Sequence, residues 1–168
     1  MILIGLGANL PSRAGLPQAT LETALADLER AGVRILARSG WWETAPVPVS
    51  DQPWFVNGVA AVATALTPAD LLALLHRIEA DYGRERLMVN GARTLDLDLL
   101  AYGETVHPGP ESPILPHPRL HQRAFVLRPL AEVVAELAPD WVHPASGQPI
   151  AALLAGLDPT QESRRLSA

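Results

Sequence analysis

Cysteine is absent from this chain of 168 residues. Without it there is no disulfide framework, thiolate zinc site, iron–sulfur cluster or cysteine nucleophile. The absence of disulfides suits a reducing cytoplasmic location. Lysine is absent too, since all 13 Lys+Arg residues are arginine. This excludes a phosphate-binding loop built on lysine and Schiff-base chemistry on a lysine amine. Any phosphate held by a cationic side chain is therefore held by arginine, whose planar fork matches phosphate oxygens, or by protonated histidine. Positive charge is also in deficit: the formal net charge is −5 and the pI about 5.5. A broad basic surface for nucleic acid is disfavoured. No apolar run approaches the roughly 18 residues of a membrane span. The apolar stretch 1–6 is short and follows no basic segment, so it does not read as a signal peptide.

What is present suits one compact domain. Hydrophobic residues make up 48% of the chain, and a chain of this size can bury roughly 70% of its unfolded surface. We place the domain at residues 1–158 and expect 159–168 to be a flexible polar tail. Residues 1–6 read as a buried strand ending in a tight turn at Gly5-Leu6-Gly7, because glycine pairs punctuate chains. Leu21, Ala24, Leu25 and Leu28 recur at helical spacing, predicting a helix over 17–31. Residues 33–42 and 55–64 read as strands, separated by a loop holding Pro46, Pro48 and Pro53. Thr67-Pro68-Ala69-Asp70 is a helix start with an N-cap, an N1 proline and an early acid, and that helix runs to about residue 82. A strand over 95–101 completes the order βαββαβ. That is the ferredoxin-like arrangement, an α+β fold with an antiparallel sheet and two helices on one face. The remainder is a C-terminal extension. It predicts an extended loop over 112–118, short helical turns over 124–138 broken around Pro129, and a last helix over 149–157.

The most informative run is Arg93-Thr94-Leu95-Asp96-Leu97-Asp98-Leu99. Residues two apart on a strand share a face, so Asp96 and Asp98 sit side by side opposite the leucines. Like charges that close repel, and a divalent cation relieves the repulsion. Two carboxylates completed by water and phosphate oxygens suit Mg²⁺. Taken alone, the run is better explained as an amphipathic strand with its polar face in water. Arg93 beside it shifts the reading toward a polyphosphate. Arg84, Arg86 and Arg93 flank a loop that holds Gly83 and Gly91 and could close over phosphates, or could be an ordinary solvated loop. A third cluster, Pro116-His117-Pro118-Arg119-Leu120-His121-Gln122-Arg123-Ala124-Phe125, places histidines and arginines in a proline-held loop, where function tends to sit. Asn57 is polar in the otherwise apolar strand Phe55-Val56-Asn57-Gly58-Val59. It either makes a structural hydrogen bond or reads a heterocycle's edge. Phe55 shares its face and offers a stacking surface.

Taken together, these segments resemble the 6-hydroxymethyl-7,8-dihydropterin pyrophosphokinase family. The match runs from Ile4-Gly5-Leu6-Gly7-Ala8-Asn9-Leu10 through Thr44-Ala45-Pro46, Asp51-Gln52-Pro53-Trp54-Phe55-Val56-Asn57 and Arg77-Ile78-Glu79. It continues through Gly83-Arg84-Glu85-Arg86 and Gly91-Ala92-Arg93-Thr94-Leu95-Asp96-Leu97-Asp98 to Pro116-His117-Pro118 and Arg123-Ala124-Phe125. The Arg-Thr-Leu-Asp-Leu-Asp run is its specific part. The resemblance implies transfer of pyrophosphate from ATP to the pterin hydroxymethyl group, releasing AMP, in folate biosynthesis. It implies that Asp96 and Asp98 hold two Mg²⁺ ions. Arg84, Arg86, Arg93, His117 and Arg123 would contact ATP, with Glu79 lining the nucleotide side. Arg84, Arg93, Asp96 and Asp98 would carry the catalysis. The pterin would lie between Phe55 and Phe125, with Asn57 and the backbone of Thr44, Ala45 and Val47 reading its edge. The chain departs from the family pattern at Ala92, usually proline there, at Asn90, tryptophan in some members, and at Phe55, tyrosine in some. The implied partners are these small molecules, for a monomeric cytoplasmic enzyme that engages neither nucleic acid nor membrane.

Two other readings compete. One is a non-catalytic ferredoxin-like module that binds a small ligand or RNA. The Asp96/Asp98 pair and the acidic balance argue against RNA. The other is a different Mg²⁺-dependent nucleotidyl or phosphoryl transferase built on the same acids. The products separate the enzymes: AMP from pyrophosphoryl transfer, ADP from phosphoryl transfer, pyrophosphate from nucleotidyl transfer.

Overall fold

The computed structural model describes residues 1–46, 48–83 and 93–167. Strand β1 (Ile2–Ala8) lies between β5 (Asp96–Tyr102) and β4 (Phe55–Ala63) and is antiparallel to both. The far side of β4 pairs with two short strands, β2 (Arg34–Arg38) and β3 (Trp42–Thr44). The chain is thus α+β, an antiparallel sheet with helices on both faces. The period-2 alternation of β1 separates two cores. Ile4 and Leu6 point to one cluster with Leu21, Leu28, Leu71 and Leu75, from helices α1 (Pro17–Arg30) and α2 (Pro68–Asp81). Leu3 points to the other with Val126, Leu127, Leu130 and Val133, from α3 (Ala124–Leu137), against which α4 (Ile150–Ala155) packs. Each fully buried leucine contributes about 2 kcal/mol. Helix α2 begins as its sequence predicts, with Thr67 Oγ1 accepting from the Asp70 amide at 3.1 Å.

Four expectations are corrected. Gly5-Leu6-Gly7 lies inside β1, not in a turn. Both glycines pair across the sheet, and the reason for Gly7 is its neighbour Asn57. A Cβ there would stand 2.6 Å from Asn57 Nδ2. The single strand over 33–42 is two strands, β2 and β3, separated at residues 39–41. Ser39 Oγ spends its bonds on Gly40 and Val59 backbone at this break. Residues 124–138 form one continuous helix through Pro129. The amide that proline lacks removes one internal bond, while burial of seven side chains of α3 keeps the helix whole. Finally, residues 163–165 of the expected tail form β6 (Ser163–Arg165), antiparallel to β3. Arg164 bonds Glu43 and Arg165 bonds Glu132. These are partners that no local pattern in the sequence reveals.

Candidate active site

The side chains in question gather on the α3 face of the sheet, beyond the end that α3 covers. Register alone aligns them. Asn57 on β4 lies opposite Gly7 on β1, and Gly7 lies opposite Asp96 on β5. The next row is Val59, Gly5 and Asp98. Asp96, Asp98 and Leu100 alternate with leucines of the opposite core, and Leu100 and Val59 belong to the α3 cluster. The two carboxylates therefore share the α3 face, as the sequence predicts, and both are half-buried.

Strand β5 is an edge of the sheet, and its exposed polar groups need partners. Two residues supply them. Glu79 on α2 is 2% exposed, and its Oε2 accepts from the Leu97 amide at 2.8 Å, midway between the aspartates. The amide of His117 donates to Leu100 O at 2.8 Å, which draws the 116–123 segment along the same edge. His117 is half-buried, and its Nδ1 accepts from the Arg119 amide at 3.1 Å. Burial first, then the positive field of Arg123, lowers its pKa to about 4, against an opposing pull from Asp96. Its ring is neutral at physiological pH and accepts or donates as a neutral imidazole. The guanidinium of Arg123 is also half-buried, and burial lowers its pKa while the nearby charges of Asp98 and Asp96 raise it. It stands over the Phe125 ring, its Cζ 5.1 Å from that ring's centroid. Asp96, Asp98, His117 and Arg123 thus act on one another electrostatically.

The other side of the site is built on β3 and β4. Thr44 pairs with Phe55 in register. Buried Thr44 Oγ1 donates to Asn57 Oδ1 at 2.6 Å, and Asn57 Nδ2 points to Leu6 O at 3.4 Å. An asparagine amide carries two donors and two acceptor lone pairs, so after these bonds it retains one of each. The structural reading of Asn57 is met by these bonds, and one donor and one acceptor of its amide are left over.

Sequence reasoning missed Asn9, which ties these halves together. It is 3% exposed. Its Oδ1 accepts from the Arg93 amide at 2.7 Å, and its Nδ2 donates to Gln52 Oε1 and Pro53 O, each at 2.9 Å. Its own amide donates to Arg93 O at 2.9 Å. Asn9 so fixes the backbone of Arg93 against the loop that leads into Phe55. A buried asparagine just past a strand end was the available signal. Val47, Arg84 and Arg86 lie outside the described residues, as does most of the 83–93 loop.

Among the described residues no group of three histidine, cysteine or carboxylate side chains could hold a metal. A cation here would rest on the Asp96/Asp98 pair, with water or phosphate oxygens completing its shell, and that donor set fits Mg²⁺. The neighbouring surface fits as well. Gly5 and Gly7 pair with Asp98 and Asp96 across the β1–β5 ladder and add no side chain of their own beside the carboxylates. Among the described residues, no helix is long and apolar enough to cross a membrane.

Comparison with known proteins gives one answer. A family model described as 7,8-dihydro-6-hydroxymethylpterin-pyrophosphokinase matches residues 3–135. A 2-amino-4-hydroxy-6-hydroxymethyldihydropteridine pyrophosphokinase of Methylorubrum extorquens is 40% identical over 94% of this chain and 93% of its own. The protein so named in Pseudomonas aeruginosa is 42% identical over 84% of this chain and 86% of its own. In fold, the chain resembles a crystal structure of Plasmodium falciparum HPPK-DHPS with a TM-score of 0.67 at 16% identity, covering 92% of this chain and 43% of that one.

Proposed function

The chain belongs to the 7,8-dihydro-6-hydroxymethylpterin-pyrophosphokinase family and is an enzyme of folate synthesis, and we propose that it transfers pyrophosphate from ATP to the hydroxymethyl group of 6-hydroxymethyl-7,8-dihydropterin, releasing AMP. The observation that carries this reading is the alignment of Asn57, Gly7 and Asp96 in one row across three strands. The row sets an amide and a carboxylate on one face, which supports a heterocycle read by the one beside a cation held by the other. The sheet is read as ferredoxin-like, with the residues after β5 as a C-terminal extension, and the enzyme as monomeric and cytoplasmic.

In this reading Asp96 and Asp98 hold two Mg²⁺ ions. Mg²⁺ held there would supply positive charge to offset the negative charge developing on the ATP phosphate oxygens. Arg93, His117 and Arg123 contact the polyphosphate, joined by Arg84 and Arg86. Glu79 serves the nucleotide side through β5, by fastening the Leu97 amide between the aspartates. The pterin stacks between Phe55 and Phe125. The free donor and acceptor of Asn57, with the backbone of Thr44, Ala45 and Val47, read its edge. Little covalent work falls to the protein: positioning and electrostatics bring the hydroxyl in line with the β-phosphorus.

The test is product analysis. The purified chain with Mg²⁺, ATP and the pterin is expected to form AMP and a pyrophosphorylated pterin. Asp98→Asn, with its fold intact by circular dichroism, is expected to lose at least 100-fold in rate, the order of a removed electrostatic stabiliser. ADP or inorganic pyrophosphate in place of AMP would overturn the reading.

A further inference from the structure

The last residues of the chain lie against both sides of the candidate pterin site. Gln161 Oε1 accepts from the Ala124 amide at 2.9 Å, and Gln161 Nε2 donates to Gln122 O at 2.8 Å. These are the two peptide groups that flank Arg123. Arg123 is the N-cap residue of α3, and its side chain caps nothing. The Ala124 amide is one of the donors a helix start leaves unpaired. Gln161 supplies the missing acceptor from 37 positions away. Its grip fixes the backbone that aims Arg123 at the aspartates and starts the turn carrying Phe125.

Within four residues the same segment reaches the opposite wall. Glu162 O accepts from the Ala45 amide at 3.1 Å, and Ser163 pairs with Thr44. Arg164 Nε donates to Glu43 Oε2 at 2.9 Å, and its Cζ stands 5.7 Å from the Trp54 ring centroid. Thr44 in turn pairs with Phe55. One short piece of chain therefore holds Phe125 and Arg123 through α3, and Phe55 and Thr44 through β3.

We propose that residues 161–165 form a strap that sets the gap between the two walls of the pterin site, with Gln161 as a positioning residue for Arg123 and Phe125. This rests on the reading that the pterin lies between Phe55 and Phe125. Stacking between two rings depends steeply on their separation. Helix α3 already packs on β4 through Val126 and Val59, and Trp42 Nε1 donates to Glu132 Oε2 at 2.6 Å, so the strap adds a directional tie at the start of α3, beside Arg123 and Phe125. The bonds of Gln161 are directional and join backbone to side chain, so they fix a distance where apolar packing alone would tolerate several. Gln161 also lines an open cleft with Trp42, Trp54 and Arg128. Truncating it exposes the Ala124 amide to water and leaves the core undisturbed.

The experiment compares Gln161→Ala, Arg164→Ala and Phe55→Ala in the full chain. Pterin affinity is measured by calorimetry in the presence of Mg²⁺ and a non-hydrolysable ATP analogue, and stability by thermal unfolding. Loss of two ordinary hydrogen bonds predicts about tenfold weaker pterin binding for Gln161→Ala. Arg164→Ala, which is exposed and keeps the β3–β6 ladder, is expected to weaken binding by about threefold by freeing β3 from its tie at Glu43. Gln161→Glu retains the acceptor for the Ala124 amide and is expected to fall between wild type and alanine. A merely structural Gln161 would lower the unfolding midpoint and leave the affinity of the folded protein unchanged, and that result overturns the strap. If Phe55→Ala weakens binding while Gln161→Ala and Arg164→Ala do not, the strap fails and the site reading stands. If Phe55→Ala binds like the unmutated chain, the site reading fails and the strap falls with it.

Discussion

Two glycines in β1, chemically identical and two residues apart, are expected to respond in opposite ways to alanine. A Cβ at Gly5 would meet only the Leu100 methyl groups, the nearest at 3.4 Å, an ordinary contact. Gly5→Ala then gains the roughly 0.4–1 kcal/mol that alanine takes from the unfolded chain, less a small repacking cost. A Cβ at Gly7 would stand 2.6 Å from Asn57 Nδ2, whereas non-bonded atoms settle at about 3.5–4.0 Å. The Asn57 amide must retreat by roughly 1 Å. It is 7% exposed, and Thr44 Oγ1 holds it at 2.6 Å, so it can retreat only by breaking that bond. A buried group left unpaired costs about 1–3 kcal/mol. After the unfolded-state gain, Gly7→Ala should be destabilised by about 1–2 kcal/mol. Urea unfolding followed by tryptophan fluorescence measures this. In the proposed reading, where the Asn57 amide reads the pterin edge, pterin affinity should fall by about tenfold. The decisive arm is the pair with Asn57→Ala. With the obstacle gone, alanine at 7 should cost within 0.5 kcal/mol of nothing, a strongly non-additive cycle. Equal stabilities for Gly5→Ala and Gly7→Ala, or additive costs in the cycle, would refute the argument that Asn57 is why position 7 has no side chain.

Glu79 and His143 give two further tests. Glu79→Leu leaves the Leu97 amide buried without its acceptor and is expected to lower unfolding free energy by about 1–3 kcal/mol, whereas Glu79→Gln keeps an acceptor oxygen and should restore most of it in the same urea titration. His143 is 5% exposed, its Nδ1 accepts from the Ser146 amide at 3.1 Å, and burial, then the neighbouring His121, push its pKa below the usual histidine value. The unfolded chain takes up that proton near pH 6.5, so the stability from keeping the ring neutral is complete above about pH 6.5. It declines as pH falls toward the folded-state value. Urea midpoints between pH 8 and 5 should therefore fall less steeply in His143→Gln, and parallel slopes would remove His143 as the cause.

The helices and the alternation of β1, β4 and β5 were legible because each buries a regular stripe against one core, and periodicity records that directly. Asp96 and Asp98 were legible for the same reason: strand alternation alone put them on one face. What the pattern hid was chosen by distant partners. Glycines at 5 and 7 carry the local signature of a turn, yet Gly7 answers to Asn57, fifty positions away along the chain. Pro129 reads as a helix breaker, and its own burial with that of six other residues of α3 outweighs its missing bond. Residues 163–165 are Ser-Arg-Arg, polar enough to read as a fraying end. Glu43, Glu132 and the open edge of β3 make them a strand. Asn9 looked like a turn residue, and only the three-dimensional arrangement shows its amide joined to Arg93, Gln52 and Pro53. The site residues that the resemblance names are those whose identity is chemical. The positioning residues were missed because their identity depends on geometry.

The row Asn57–Gly7–Asp96 also limits where the reaction can occur. Neighbouring strands lie about 4.8 Å apart, and the Asn57 amide leans over Gly7 on β1, about one spacing from the strand that carries Asp96. In the proposed reading, with the pterin edge on Asn57 and a cation on Asp96, the hydroxymethyl group lies between them. A side chain at position 7 would displace the Asn57 amide that overlies the backbone there, so in the proposed reading Gly7 serves both the fold and the placement of the pterin edge. In the Asn57→Ala background alanine at 7 is expected to cost little stability, and its rate is compared with that of Asn57→Ala alone. A further fall in rate would show that a side chain at 7 crowds the acceptor hydroxyl, and an equal rate would show that Gly7 acts through Asn57 only.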